Sequence, residues 1–119
     1  MLFDTTQSAL EAAISGAAQR QTALAANLAN ANTPGYQRMD VDFHASLARA
    51  LATDGGAGGA KTTFSAQRDA TAVTRADGST VDVDAESAKL AANALEHQAA
   101  VQVAHARIGI LKSAMGVGG

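Results

Sequence analysis

The single proline of this chain constrains its fold more than any other residue. Pro34 lies in Asn27-Leu28-Ala29-Asn30-Ala31-Asn32-Thr33-Pro34-Gly35-Tyr36-Gln37-Arg38, which also contains the only tyrosine. Proline presets φ and glycine accepts the positive φ that follows, so Pro34-Gly35 suits the central positions of a type II turn. Proline also biases Thr33 away from the α region, and a helix arriving from upstream should stop by Asn32. Asn30 or Asn32 is expected to take a left-handed conformation there and to bond freed carbonyls with its amide.

Both ends of the chain read as helices. Over residues 4–31, Leu10, Ile14, Ala17, Gln21, Leu24, Leu28 and Ala31 alternate steps of four and three, a seven-residue repeat. Ser8 with Glu11 makes a capping box, and Asp4 serves equally well for an earlier start. Gly16, beside Ala13 and Ala17, would let a neighbouring backbone approach. From Asp84 onward the repeat returns in Leu90, Ala94, His97, Val101, Ala104, Ile108, Leu111 and Met115. Asp84 is the expected N-cap, with Glu86 at the positive end of the helix dipole. Gly116, Gly118 and Gly119 end the pattern.

Residues 38–76 sustain no period. Val41, Phe43, Leu47 and Leu51 fit a strand or a short helix equally. Asp54 to Ala60 is a glycine-rich loop. Thr71 to Thr74 and Thr80 to Val83 flank Asp77-Gly78, a hairpin signal. The expected fold is mainly α: two long heptad helices pairing as an antiparallel, coiled-coil-like hairpin around an irregular middle with a small β-hairpin. The expected divisions are 1–37, the N-terminal helix and turn; 38–83, the middle; and 84–119, the C-terminal helix. Together the helices form one axial core domain.

Composition says what such helices are for. The 119 residues are 47% hydrophobic but only 3% aromatic, and much of the apolar content is alanine. A chain with so few large side chains builds little globular core, and its alanine faces call for neighbours. A net charge of −2 predicts neither nucleic acid nor an anionic membrane as partner. Cysteine is absent, which removes disulfide and thiol chemistry. No run of 18 or more apolar residues is present, so no membrane span is expected. Arg20 is the first basic residue, and Asp4 and Glu11 interrupt the region where a secretory signal would need a basic start and an apolar stretch.

No active site is readable. Gly55, Lys61 and Thr62 fall at phosphate-loop offsets, but Ala60 replaces the second required glycine, and a flexible loop accounts for the stretch. His97 and His105 do not share the spacing of paired metal ligands. His97 falls on the seam, where a hydrogen-bonded polar residue can fix register. Asp82, Asp84 and Glu86 lack the glycine and length of a calcium loop and suit helix capping. No catalytic residue, cofactor or metal is expected, and the chain does not read as an enzyme.

The string from Asn27 to Tyr36 is far more specific than a capped helix and a turn. Asn27, Asn30, Asn32, Thr33, Pro34, Gly35 and Tyr36 resemble the N-terminal signature of the rod, hook and related axial proteins of the bacterial flagellum. Asp40-Val41-Asp42-Phe43 is similar to the continuation in the proximal rod members of the basal-body rod family. Asp77 to Asp84, then Leu90-Ala91-Ala92-Asn93-Ala94-Leu95 and Gln98, resembles the segment leading into their C-terminal helix. The likeness covers residues 5–44 and 75–115, and the short middle argues against a large outer domain.

That resemblance implies a structural subunit that self-associates through its terminal helices into the torque-transmitting rod. The subunit-interface seam would be Leu10, Ile14, Leu24, Leu28, Leu90, Val101, Ile108, Leu111 and Met115. Implied partners are other rod subunits, the connector protein at the base and the export gate. The implied location is the periplasmic rod, reached through the flagellum's own export channel without a cleaved signal. The competing expectation is a soluble helical-hairpin adaptor or regulatory coiled-coil protein, which explains the heptads but not the asparagine-rich turn.

Overall fold

The computed structural model describes residues 2–53 and 64–116. The glycine-rich stretch 54–60, the near-phosphate-loop residues and Gly118 and Gly119 lie outside the described residues. The elements are α1 (Leu2–Ala29), β1 (Met39–Val41), α2 (Phe43–Thr53), β2 (Ala66–Arg68) and α3 (Val83–Ala114). Hydrogen bonds from Asn93 to Ala17 and Gln21, and from Asn27 to Glu86, show that α1 and α3 run antiparallel. The chain forms a helical hairpin extending 61 × 33 × 14 Å. In so thin a slab, among the described residues, much of the surface of α3 stays exposed.

Local chemistry sets the boundaries, in places differently from the sequence-based expectation. Helix α1 already runs from Leu2, so Ser8 and Glu11 sit within it; Gln7 donates to Glu11 at 3.3 Å. Helix α1 ends without a left-handed asparagine: among the described residues positive φ occurs only at Gly35, Gly78 and Gly116. Asn30 instead keeps a negative φ, and its amide donates to the carbonyl of Ala26 at 2.8 Å. At α3 the N-cap is Asp82 rather than Asp84. The Asp82 carboxylate accepts from the amides of Asp84 (3.0 Å) and Ala85 (3.3 Å), which are two of the otherwise unpaired N–H groups of a helix start. Lys112 lies in the last turn, where the dipole favours a cation.

The middle contains a two-stranded antiparallel sheet, with Met39 opposite Arg68 and Val41 opposite Ala66. It is not built from the residues around Asp77-Gly78. Those form a tight turn, closed by Gly78 N–H to Arg75 O (3.0 Å) and Arg75 N–H to Ser79 O (2.7 Å), and its flanks pair elsewhere. The residues that fitted strand or helix equally divide between the two: Val41 ends β1, and Phe43 and Leu47 fall on α2.

A small core holds this middle on α1. Phe43, Phe64, Val41, Ala12 and Ala23 are buried together, with Ala13 and Leu47 against them. The two phenyl rings lie 5.7 Å apart, tilted by 41°. Gly16 makes the seat: a Cβ there would fall 2.5 Å from Phe43 Cδ2 and 2.9 Å from Phe64 Cε1. What approaches Gly16 is thus a pair of aromatic side chains, not the backbone expected from the sequence. By contrast, a Cβ at Gly109 on α3 would meet nothing within 4 Å.

These two glycines should respond oppositely to the same substitution. Gly109→Ala should stabilise the isolated chain by about 0.5–1 kcal/mol through helix propensity alone. Gly16→Ala gains the same propensity but displaces both rings, and should be destabilising overall, by about 1–3 kcal/mol. Urea denaturation of both variants measures this; a more stable Gly16→Ala chain would show that the rings do not rest on Gly16.

Candidate functional site

The chain's two motif regions meet at one junction. Tyr36 N–H donates to Thr33 O at 3.2 Å and Gly35 has φ +74°, the closing bond and positive φ of a type II turn. This turn docks against the Asp77-Gly78 turn. Gly35 N–H donates to Asp77 O (3.0 Å), Thr80 N–H to Tyr36 O (2.9 Å), and Gln37 Nε2 to Gly78 O (3.3 Å). The approach is tight, since a Cβ on Gly78 would lie 3.2 Å from Gly35 Cα. Arg75 stitches the same corner, donating from Nη1 to the carbonyls of Ala31 (2.9 Å) and Val81 (3.2 Å).

Beneath the turns lies a buried polar cluster. Asn27 is fully buried and uses its whole hydrogen-bonding capacity. Its Nδ2 donates to Met39 O (2.6 Å) and Glu86 Oε1 (2.5 Å), while its Oδ1 accepts from Met39 N–H (2.9 Å) and the Tyr36 hydroxyl (3.3 Å). The first asparagine of the motif thus supplies the backbone of β1 with a partner. Arg38 faces Glu86 as a fork, Nε to Oε2 at 3.1 Å and Nη2 to Oε1 at 3.0 Å. The same guanidinium donates to Asp40 Oδ2 at 3.2 Å and, through Nη1, to Asp69. Its backbone N–H donates to Thr80 Oγ1 at 2.8 Å. Arg20 of α1 reaches Asp40 Oδ1 at 2.9 Å. One cluster therefore joins α1, β1, the end of β2 and the first turn of α3.

Sign and burial fix the electrostatics. The side chains of Arg38 and Glu86 are 4% and 1% exposed, so each charge requires the other. Burial disfavours the Arg38 cation, but Glu86, Asp40 and Asp69 outweigh it and raise its pKa. For Asp40, burial pushes upward, and the hydrogen bond and charge of Arg20 prevail, holding the carboxyl below the usual carboxylate range. Asp69 is also lowered, first by the hydroxyl and N–H of Thr71 and then by Arg38.

The sequence reading missed this cluster's centre. Arg38 entered only as the end of the motif and Glu86 as a dipole partner, whereas the structure makes them one buried ion pair. The bond expected of His97 is made by Asn93, one turn earlier on α3: its Nδ2 donates to Ala17 O and Gln21 Oε1, both at 2.8 Å. The proposed seam divides. Leu24 is fully buried and Leu10, Ile14, Leu28, Leu90 and Val101 are half-buried, but Ile108, Leu111 and Met115 are exposed by 45, 37 and 69%. Ala18, Gln21, Thr22, Ala25, Ala94 and His97 line an open apolar groove of about 520 Å³ between the helices. Of the motif, Asn27 is buried and Tyr36 half-buried, while Asn32, Thr33, Pro34 and Gly35 face solvent. Among the described residues, no three His, Asp or Glu side chains are grouped to hold a metal ion, and no helix is long and apolar enough to cross a membrane.

Two outcomes follow for the cluster. Arg38→Lys keeps the charge but loses the fork, and should cost about 2–4 kcal/mol in urea denaturation; a loss below about 0.5 kcal/mol would mean that a point charge suffices. Because Asp40 and Asp69 lie below their ordinary value of 3.8, the folded chain binds fewer protons than the unfolded one in that range. Their stabilisation is complete above that value and is lost as the pH falls below it. Asp40→Asn with Asp69→Asn should therefore flatten the fall in stability as the pH drops below about 4; an unchanged fall would place the acid sensitivity elsewhere.

Comparison with known proteins agrees with this architecture. A family described as "Flagella basal body rod protein" matches residues 3–37, the span of α1 and the turn. The flagellar basal body rod protein FlgB of Aeromonas hydrophila is 33% identical over 128 aligned positions, covering 96% of this chain and 96% of its own. FlgB of Proteus mirabilis (strain HI4320) is 34% identical over 116 positions, covering 83% and 82%. FlgB of Escherichia coli (strain K12) is 40% identical over 98 positions, covering 68% and 71%. Likeness at this level over nearly the full length, with the helical hairpin and the turn motif, assigns the chain: it belongs to the FlgB family of flagellar basal body rod proteins, structural components rather than enzymes.

Proposed function

We propose that this subunit self-assembles through its terminal helices into the proximal part of the rod and transmits torque there by rigid contacts between subunits. The observation that carries this reading is the exposed apolar side chains of α3 and its C-cap from Leu95 onward. Leu95, Val103, Ile108, Ile110, Leu111 and Met115 are each at least 37% exposed, on a hairpin too thin to cover them. A helix apolar on more than one face is normally enclosed by other elements, and an exposed apolar surface of this kind marks an interaction site. Neighbouring rod subunits, the connector at the base and the export gate are the partners this reading implies. It places the subunit in the periplasmic section of the axis, delivered through the flagellar export channel without signal cleavage.

The test separates folding from assembly. Ile108→Asp and Leu111→Asp alter residues that are exposed in the single chain, so purified variants should keep their helicity and melting temperature. In cells lacking the unaltered protein, the same variants should fail to restore swimming or complete basal bodies. A tagged unaltered copy should appear at the base of the rod by electron microscopy of isolated basal bodies. Normal swimming of the Ile108→Asp, Leu111→Asp double variant would contradict assembly through this face.

A further inference from the structure

We infer that the buried polar residues Asn27, Arg38, Glu86 and Asn93 are positioning residues that select one register of α1 against α3, which the apolar seam does not select. The seam repeats every seven residues on both helices: Leu10, Ala17 and Leu24 on α1, and Leu90, His97, Ala104 and Leu111 on α3. Apart from Gln21 and His97, a slide of seven residues brings one small or aliphatic side chain to the place of another. In alanine-rich contacts neither shape nor volume penalises such a slide strongly. The polar bonds do. Glu86 reaches its three donors, two from Arg38 and one from Asn27, in one alignment only. Asn93 likewise meets Ala17 O and Gln21 Oε1 only there.

Asn93 supplies an independent argument. It is fully buried, and its Oδ1 has no hydrogen-bond partner. A buried carbonyl without a donor costs stability, so a residue chosen for stability alone would be apolar. A single buried asparagine that lowers stability while fixing alignment is the best-attested use of a polar group between paired helices. The Arg38–Glu86 pair has the same logic, because apolar residues of similar volume often replace a buried ion pair without loss of stability. Uniform register matters to a repeating assembly, since it decides where on each subunit the exposed end of α3 lies.

Pulsed electron resonance on the full chain tests this. The absence of native cysteine allows spin labels to be placed at Ser15→Cys and Ser113→Cys, both exposed positions on the two helices. A slide of seven residues moves one label along the other helix by about 10 Å. The otherwise unaltered chain should give one narrow distance. Adding Asn93→Leu should raise the melting temperature and introduce a second population displaced by about that length. Adding Arg38→Met and Glu86→Leu as well should increase the displaced population while helicity is retained. A single unchanged distance in the triple variant would overturn the proposal. So would loss of helicity in it, a lower melting temperature for Asn93→Leu with the distance unchanged, or a broad distribution before any of these changes.

Discussion

A guanidinium and a carboxylate sealed from water impose the strictest condition on this fold. Arg38 and Glu86 lie 48 residues apart in sequence, and neither can be buried alone without a penalty of several kcal/mol. Burying them together requires that α1 has ended, that the turn has reversed the chain, that β1 lies alongside, and that α3 has begun at the right residue. The parts that look local in the sequence are therefore coupled. Asp82 caps α3 so that Glu86 falls in its first turn, Asn27 bonds both Met39 and Glu86, and Gly35 and Gly78 allow the two turns to touch. Removing one member would expose others to unpaired burial.

The hairpin's apolar content is complementary to this. Apart from the small cluster of Phe43, Phe64 and Val41 on α1, the buried and half-buried seam mixes Leu24, Leu28, Leu90 and Val101 with alanines such as Ala17, and alanine supplies closeness more than specificity. The polar junction determines where the helices meet, and the seam determines that they do. Beyond Asn93, Leu95, Val103, Ile108, Ile110 and Leu111 of α3 stand exposed among polar residues, as expected for a subunit whose remaining contacts come from neighbours.

Much of the architecture was legible before any coordinates. The two helices follow from heptads in which Leu24 and Leu90 recur with alanines, a signal long enough to survive local ambiguity. The turn at Pro34-Gly35 follows from backbone sterics alone, which act whatever the surroundings. The sheet was legible only as a presence, because Asp77-Gly78 announces a turn without saying which strands lie near it; its flanks are drawn to Gly35, Tyr36 and Arg38 instead. The polar centre was the least legible part. Glu86 in a first helical turn resembles a common dipole partner, and only the long-range return of the chain brings Arg38 to it. Asn93 has the same character, a polar residue within an apolar pattern whose meaning depends on the helix opposite.

Arg38 and Glu86 acting as one unit is measurable by a double-mutant cycle. Arg38→Met and Glu86→Met would be made singly and together in the full chain, and unfolding free energies taken from urea denaturation at neutral pH. Arg38→Met strands the buried Glu86 carboxylate and should cost about 3–5 kcal/mol, whereas Glu86→Met leaves Arg38 its bonds to Asp40 and Asp69 and should cost less. The double change leaves no stranded Glu86 carboxylate and should cost less than Arg38→Met alone, a coupling well beyond the roughly 0.5 kcal/mol found for independent sites. Costs that simply add would mean that the two residues stabilise the fold separately and that the junction is not its organising contact.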